Sequence, residues 1–267
     1  MVFGTGDFLG GLASRRAPIL TVLVVSQGVG LAGMLAVALI AGGTPSGVDL
    51  LLGAAGGLAG GAGVALLYRA LATGTMALVA PVTGVVAAVV PVAVGIGMGE
   101  RPSILQLLGI ALAVGAVALL SGGRPRSGVR LRGTSLLLAL GAGAGFGLFY
   151  IALARTSAGA GLWPLVAARA ASVTAFSGAL AIRRERLSRG TAGLPVMIAT
   201  GVFDVSANAL YVVAVHHGLL SIVAVLVSLY PASTVLCSLA FLGERLRALQ
   251  IGGVGLALGA VALITAG

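Results

Sequence analysis

Two aspartates and one arginine stand in stretches that are otherwise almost wholly apolar. Asp204 lies midway along the run Gly193–Val215, with Asn208 and Tyr211 four and seven residues further on. That spacing puts the three on one face of a helix. A charge in such a run is expensive, so its uses are few: lining a polar path, carrying a proton, or anchoring an ion pair. Arg169 sits about two turns into the run Trp163–Ile182. It is placed to pair with Asp204, to grip a carboxylate on a bound solute, or to reach back to an interface. Asp7, flanked by glycines in GTGDFLGG, is a second proton or substrate candidate. Gln27, Tyr68, Tyr150, Ser228 and Tyr230 are weaker candidates for a cavity wall. The expected substrate-binding set is Asp204, Asn208, Tyr211, Arg169, Asp7 and Tyr150.

Other chemistries lack their parts. His216 and His217 are adjacent but have no third metal ligand nearby, and no CxxC pair occurs. The single cysteine, Cys237, lies in an apolar run as a small buried residue would. Ser206 and His216 are ten residues apart on one run, roughly 15 Å by helical rise, so they cannot pair as nucleophile and base. No GxSxG-like turn is present. The expectation is no catalytic residue, no metal and no cofactor, with an intramembrane enzyme the least favoured reading.

These residues need elements to hold them, and composition says which. Of 267 residues, 59% are hydrophobic and only 8% charged. A soluble domain is about one quarter charged, and this chain could not cover its surface with polar groups. The net charge of +10, from 16 arginines and six acids, would suggest nucleic acid in a soluble protein. Here most arginines sit between apolar runs, where they orient a membrane protein, so no nucleic-acid partner is expected. The runs are continuous and rich in Ala, Leu and Gly, which favours helices over a barrel.

Ten such runs are expected as membrane helices. They are Val2–Ala13, Ile19–Ala41, Leu50–Ala72, Met76–Met98 and Ile104–Ser121, then Thr134–Arg155, Trp163–Ile182, Gly193–Val215, Leu219–Leu242 and Ala248–Ala266. Gly53, Gly57 and Gly61 make a small-residue ridge suited to close packing, and Pro81, Pro91 and Pro231 interrupt the hydrogen bonding of two runs. No cleavable signal peptide is expected, because Arg15 and Arg16 follow the first apolar stretch instead of preceding it.

The chain also repeats. A shift of 144 positions lays Gly99–Ser121 over Gly243–Thr265, matching Gly99/Gly243, Glu100/Glu244, Arg101/Arg245, Gln106/Gln250 and Gly109/Gly253. Five helices per copy is an odd number, so the second copy must enter the membrane in the opposite sense. The units are residues 1–122 and 133–267, joined by an Arg-rich loop at 123–132. The Phe3–Gly4 pair aligns with Phe146–Gly147, which leaves the first helix short by some ten residues relative to its counterpart. A start internal to the first helix is therefore expected. Thirteen of the 16 arginines fall on one set of alternate connections, against Arg101 and Arg155 on the other. The positive-inside rule then puts both termini outside the cytoplasm. Glu100 and Glu244 each precede a helix and are expected to complement its N-terminal dipole.

Each half ends in a stretch that resembles the EamA-type transporters of the drug/metabolite transporter superfamily. The stretches are Ala77–Ser121 and Ser221–Thr265: an apolar helix, a Gly-Glu-Arg turn, then a helix carrying Gln and spaced Gly. The second has Pro231 thirteen residues before Glu244, whereas the first has Ala87 there and Pro91 four residues later. The resemblance implies an all-α polytopic membrane protein of ten helices in two inverted repeats around a central cavity. It implies a secondary transporter of a small organic metabolite, expected to export it by alternating access across the cell membrane. It also implies cytoplasmic termini, opposite to the arginine count. Proton coupling through Asp204 and Asp7 is a further expectation. The partners are the bilayer, a small solute and protons, and the sequence is silent on oligomeric state. A passive channel and a non-transporting scaffold are the rival readings.

Overall fold

The computed structural model describes residues 2–99, 101–121, 133–184, 193–217 and 230–266, apart from the side chains of 121, 208–209, 211–217 and 230. Among them are ten α-helices, a single-turn 3-10 helix at Ala158–Ala160, and no strand. The helices are α1 (Val2–Ser14), α2 (Ile19–Ala41), α3 (Gly47–Thr73), α4 (Met76–Gly97) and α5 (Ile104–Ser121). They continue with α6 (Gly133–Ala154), α7 (Trp163–Ile182), α8 (Leu194–His217), α9 (Tyr230–Leu242) and α10 (Ala248–Ala266). Six of them, α2, α3, α4, α6, α7 and α10, are long and apolar enough to cross a bilayer. Large apolar side chains such as Ile40, Ile104, Leu137, Ile182 and Phe241 point outward, as expected where the solvent is lipid.

The ends of the helices show why they start and stop. Ser46 and Asp49 form a reciprocal capping box, so α3 begins at Gly47, ahead of the Leu50 expected from hydropathy alone. The Ser103 hydroxyl accepts from Gln106 N at 3.2 Å, and Gln106 Oε1 accepts from Ser103 N at 2.9 Å, which starts α5 in the same way. In the second copy Gln250 Oε1 accepts from Arg247 N at 3.0 Å. The repeated glutamine is thus a helix-capping residue. The repeated glycines, Gly99 at φ 92° and Gly243 at φ 63°, turn the chain through left-handed backbone that other residues avoid.

Packing interleaves the early and late helices. α3 lies against both α6 and α7, α4 against α6, α1 against α8 and α9, α2 against α7 and α8, and α5 against α10. Glycine makes the closest of these contacts possible. A Cβ on Gly53 would lie 2.3 Å from Pro164 O, and one on Gly57 2.2 Å from Ala168 O. One on Gly61 would lie 2.9 Å from the Ser172 side chain. The i+4 glycine ridge of α3 therefore meets Pro164, Ala168 and Ser172 of α7 at the same spacing, backbone on backbone. Its other glycines, Gly56, Gly60 and Gly63, receive Ala152, Phe149 and Phe146 of α6. The main core gathers Val22, Leu23, Leu67, Leu71, Met76, Leu78, Val79, Val82 and Leu120. Pro81 and Pro91 lie inside α4, whose first half is buried on all sides. Pro231 stands at the start of the described part of α9 and packs on Gly84 of α4.

The candidate transport site and the family

Five helices from both ends of the chain converge on one polar cluster. Gly201 of α8 packs on the Ser26 backbone of α2, where a Cβ would lie 2.5 Å from the Ser26 carbonyl oxygen. One helical turn on, Gly30 leaves space for the Asp204 carboxylate, and Gly33 takes Val205. From the other side Gly6 of α1 approaches the backbone of Thr200 and Asp204. α7, clamped by the α3 ridge at Ala168 and Ser172, presents Arg169 towards α2 and α8.

Arg169 ties these helices together. One terminal nitrogen donates to Gln27 of α2 and the other to Asp204 of α8, forming an ion pair. The side chains keep 19% and 30% of their surface exposed, so the pair is only partly covered by its neighbours. Asp7 of α1 lies within electrostatic reach of Asp204, is half-buried, and has no hydrogen bond or ion pair among the described residues. Tyr68 of α3 is buried within reach of Asp7, Asp204 and Arg169. Its ring crosses α1 at Gly10, where a Cβ would be 2.2 Å from the ring. Ser26 faces Tyr68, and its hydroxyl is buried there.

The structure therefore brings Asp204, Arg169 and Asp7 together and adds Gln27, Tyr68 and Ser26. Asn208 and Tyr211 continue along α8, and their side chains lie outside the described residues, as do Ser228 and the Tyr230 side chain. Tyr150 is elsewhere: it is 49% exposed on α6 with its ring 5.5 Å from that of Phe149. Ser26 went unnoticed in the sequence, although a Ser-Gln pair inside an otherwise apolar helix was a usable signal. No group of three potential metal ligands occurs among the described residues.

Two further polar contacts close the ends of the bundle. At one end the Glu244 carboxylate accepts from Met76 N at 3.0 Å and Ala77 N at 2.9 Å, capping α4. This corrects the expectation that Glu244 serves the helix that follows it. The turn throws the side chain across to a different helix, whose first N–H groups are otherwise without acceptors. Arg15 joins Glu244 at 3.7 Å and donates to the carbonyls of Leu71 and Gly74 at the end of α3. Glu100 lies outside the described residues. At the other end Asp49 accepts from Ser46 within its capping box and from Ser157 N at 2.7 Å and Ser157 Oγ at 2.9 Å. Thr44 N donates to Gly159 O beside it.

Residues 133–266 match the model of the EamA-like transporter family. This chain belongs to the EamA-like transporter family. Its membership makes the chain a multi-pass membrane protein of the drug/metabolite transporter type, in a superfamily of transporters and not of enzymes. A solved crystal structure of another protein covers 99% of this EamA-like chain and 96% of its own, at 18% identity and a TM-score of 0.58. At that identity the likeness concerns the fold. No curated protein matches the chain. In an EamA-like transporter the cluster around Arg169 is the natural candidate for the solute path, since it gathers charged side chains where a membrane protein otherwise avoids them.

Proposed function

We propose that this EamA-like protein is a secondary transporter that exports a small organic metabolite across the cell membrane by alternating access. The observation that carries the reading is the partly exposed Arg169–Asp204 pair, accompanied by Asp7, which has no ion pair among the described residues. A carrier needs a polar site that several helices share, and this pair joins three of them. Asp204, Arg169 and Asp7 are the proposed solute contacts, with Asn208 and Tyr211 following Asp204 along α8. Asp7 and Asp204 are also the proposed proton carriers.

The proposed architecture is two inverted five-helix repeats, residues 1–122 and 133–267, around this site. The α5–α10 contact supports it. Gly109 packs on Ile264, and Gly253 packs on Leu120. A shift of 144 exchanges these two contacts, as it exchanges the buried pairs Ala113/Ala257 and Ala116/Ala260. The contacts of α1 with α8 and α9 likewise mirror those of α6 with α3 and α4.

Comparing exported metabolites between deletion and overexpression strains supplies the solute. Uptake of that solute into proteoliposomes then separates the readings. A carrier gives saturable rates and counterflow, whereas linear rates without counterflow indicate a channel. Proton coupling predicts that a pH gradient drives uptake and that Asp204→Asn and Asp7→Asn abolish the drive. Uptake unchanged in both variants removes the proton.

A further inference from the structure

A stack of buried side chains separates the polar cluster from the arginine-rich end of the bundle. Tyr68 of α3 lies against Gly10 of α1, and Leu71, three residues on, lies against Gly11 together with the Met76 side chain of α4. All three are 5% exposed or less. The main core continues the stack across the same end. It includes Val22, Val79 and Met197 in the first turns of α2, α4 and α8, and Leu120 in the last turn of α5. The turns that carry Arg15, Arg16, Arg245 and Arg247 lie at this end.

Glu244 stands at the outer end of the stack. It comes from the turn between α9 and α10, yet its two oxygens accept the N–H groups of Met76 and Ala77. Arg15 reaches the same carboxylate and donates to the carbonyls of Leu71 and Gly74. One carboxylate thus fastens a distant turn to the helix that carries Met76, and its arginine partner fastens the helix that carries Leu71. The rim of the stack is polar where its interior is apolar. Water can take over free N–H groups and a free carboxylate at a helix end, so this joint can part and re-form without leaving a buried polar group unsatisfied.

We propose that Glu244 is a latch: it holds the arginine-rich end of the bundle shut, and its release from α4 opens the Tyr68–Leu71–Met76 stack on that side. The proposal rests on the transporter reading of the cluster, which requires each end to open in turn, and it names the contact that must break at this one. Thiol labelling of the full chain in nanodiscs tests it, with N-ethylmaleimide as the probe and Cys237→Ala as the background. Two buried alanines serve as reporters, one per protein. Ala80→Cys, at a position 3% exposed, lies one turn inside Met76 on the same face of α4, too deep for fraying of the first turn to reach. Ala160→Cys, at a position 0% exposed, lies at the other end, where the Ala160 N–H donates to Ser157 O. A buried thiol is labelled in proportion to the time its surroundings are open. Glu244→Gln loses the charge and one acceptor oxygen. It should raise the labelling rate at position 80 about tenfold or more, the change expected for one hydrogen bond to a charged group, and should not raise it at position 160. No rise at position 80 overturns the proposal. An equal rise at both positions also overturns it, since that is general loosening and not the opening of one end. Should Glu244→Gln fail to fold, Arg15→Gln takes its place, with a rise of roughly twofold to fivefold expected at position 80 alone and the same two refuting results. Counterflow of the exported metabolite separates the two claims. A selective rise at position 80 without counterflow keeps the latch and removes the carrier; counterflow with no rise keeps the carrier and removes the latch.

Discussion

Glu244 offers the sharpest test of how the bundle is held together, because two explanations of its role predict different numbers. It accepts two backbone N–H groups at the start of α4, at 3.0 and 2.9 Å, and stands 3.7 Å from Arg15. Hydrogen bonds to a charged group contribute about 1.5–3 kcal/mol each. Both lie at the end of the bundle, where water can partly replace them, so the lower value applies and the two together give about 3 kcal/mol. The ion pair is long and Arg15 keeps 30% of its side chain exposed, which limits it to about 1 kcal/mol or less. Glu244→Ala should therefore lower the unfolding free energy by about 3 kcal/mol, and Glu244→Gln, which retains one acceptor oxygen, by about half of that. Arg15→Ala removes its own bonds to Leu71 and Gly74, but a double-mutant cycle with Glu244→Ala should show a coupling of about 1 kcal/mol at most. The assay is reversible unfolding in mixed micelles, followed by far-UV circular dichroism. A coupling above about 2 kcal/mol would refute the capping argument and make the ion pair the main interaction. A Glu244→Ala protein as stable as wild type would refute both.

The remaining predictions concern the glycines and the charge cluster. Gly57→Ala places a methyl 2.2 Å from the Ala168 carbonyl oxygen, a backbone atom, so it should destabilise by about 1–3 kcal/mol and slow transport by shifting α7. Gly259→Ala, which meets nothing within 4 Å, should be neutral or stabilise by up to about 1 kcal/mol in the same unfolding assay. Gly10→Ala should collide with the Tyr68 ring and lower the midpoint of a thermal melt, and the further loss it causes in a Tyr68→Ala background should be much smaller. Arg169→Met should destabilise by roughly 1–3 kcal/mol, reduced from the buried-pair range by the partial exposure of both partners. Arg169→Met combined with Asp204→Asn should cost less than the sum of the two single changes, because neither charge is then left alone. Equal and additive losses would show that the pair is not coupled.

Several features of the fold were legible in the residues because they depend only on local chemistry. Uninterrupted apolar runs between turn and arginine signals located α2 and α7 to the residue. The glycine ridge of α3 announced a close helix contact, although not which helix would fill it. Ser46–Asp49 and Ser103–Gln106 were also readable as caps, and overlooking the first put the start of α3 three residues late. What escaped the sequence was tertiary. Glu244 and its α4 partners Met76 and Ala77 are more than 160 residues apart, and no spacing rule reaches that far. Tyr150 failed to join the cluster for a related reason. α6 is apolar all round, so its pattern does not say which face looks inward. Arg169 and Asp204 were easier, since two opposite charges deep in apolar helices have few other means of being neutralised.

The interleaving of α3 with α6 and α7 also sets a timetable for biosynthesis. The glycine groove on α3 is complete at Thr73, but its occupants on α7 are not finished until Ile182. At roughly 5–20 residues per second, the ribosome needs roughly 5–20 s to make the intervening chain. Throughout that interval the groove faces lipid, where small residues leave no polar group unsatisfied and can wait without harm. Gln27 must wait as well, as a lone polar group in the bilayer, until Arg169 arrives with Asp204 a further 35 residues behind it. The first five helices of this protein thus enter the membrane as an unfinished assembly, and its charges are matched only late in translation.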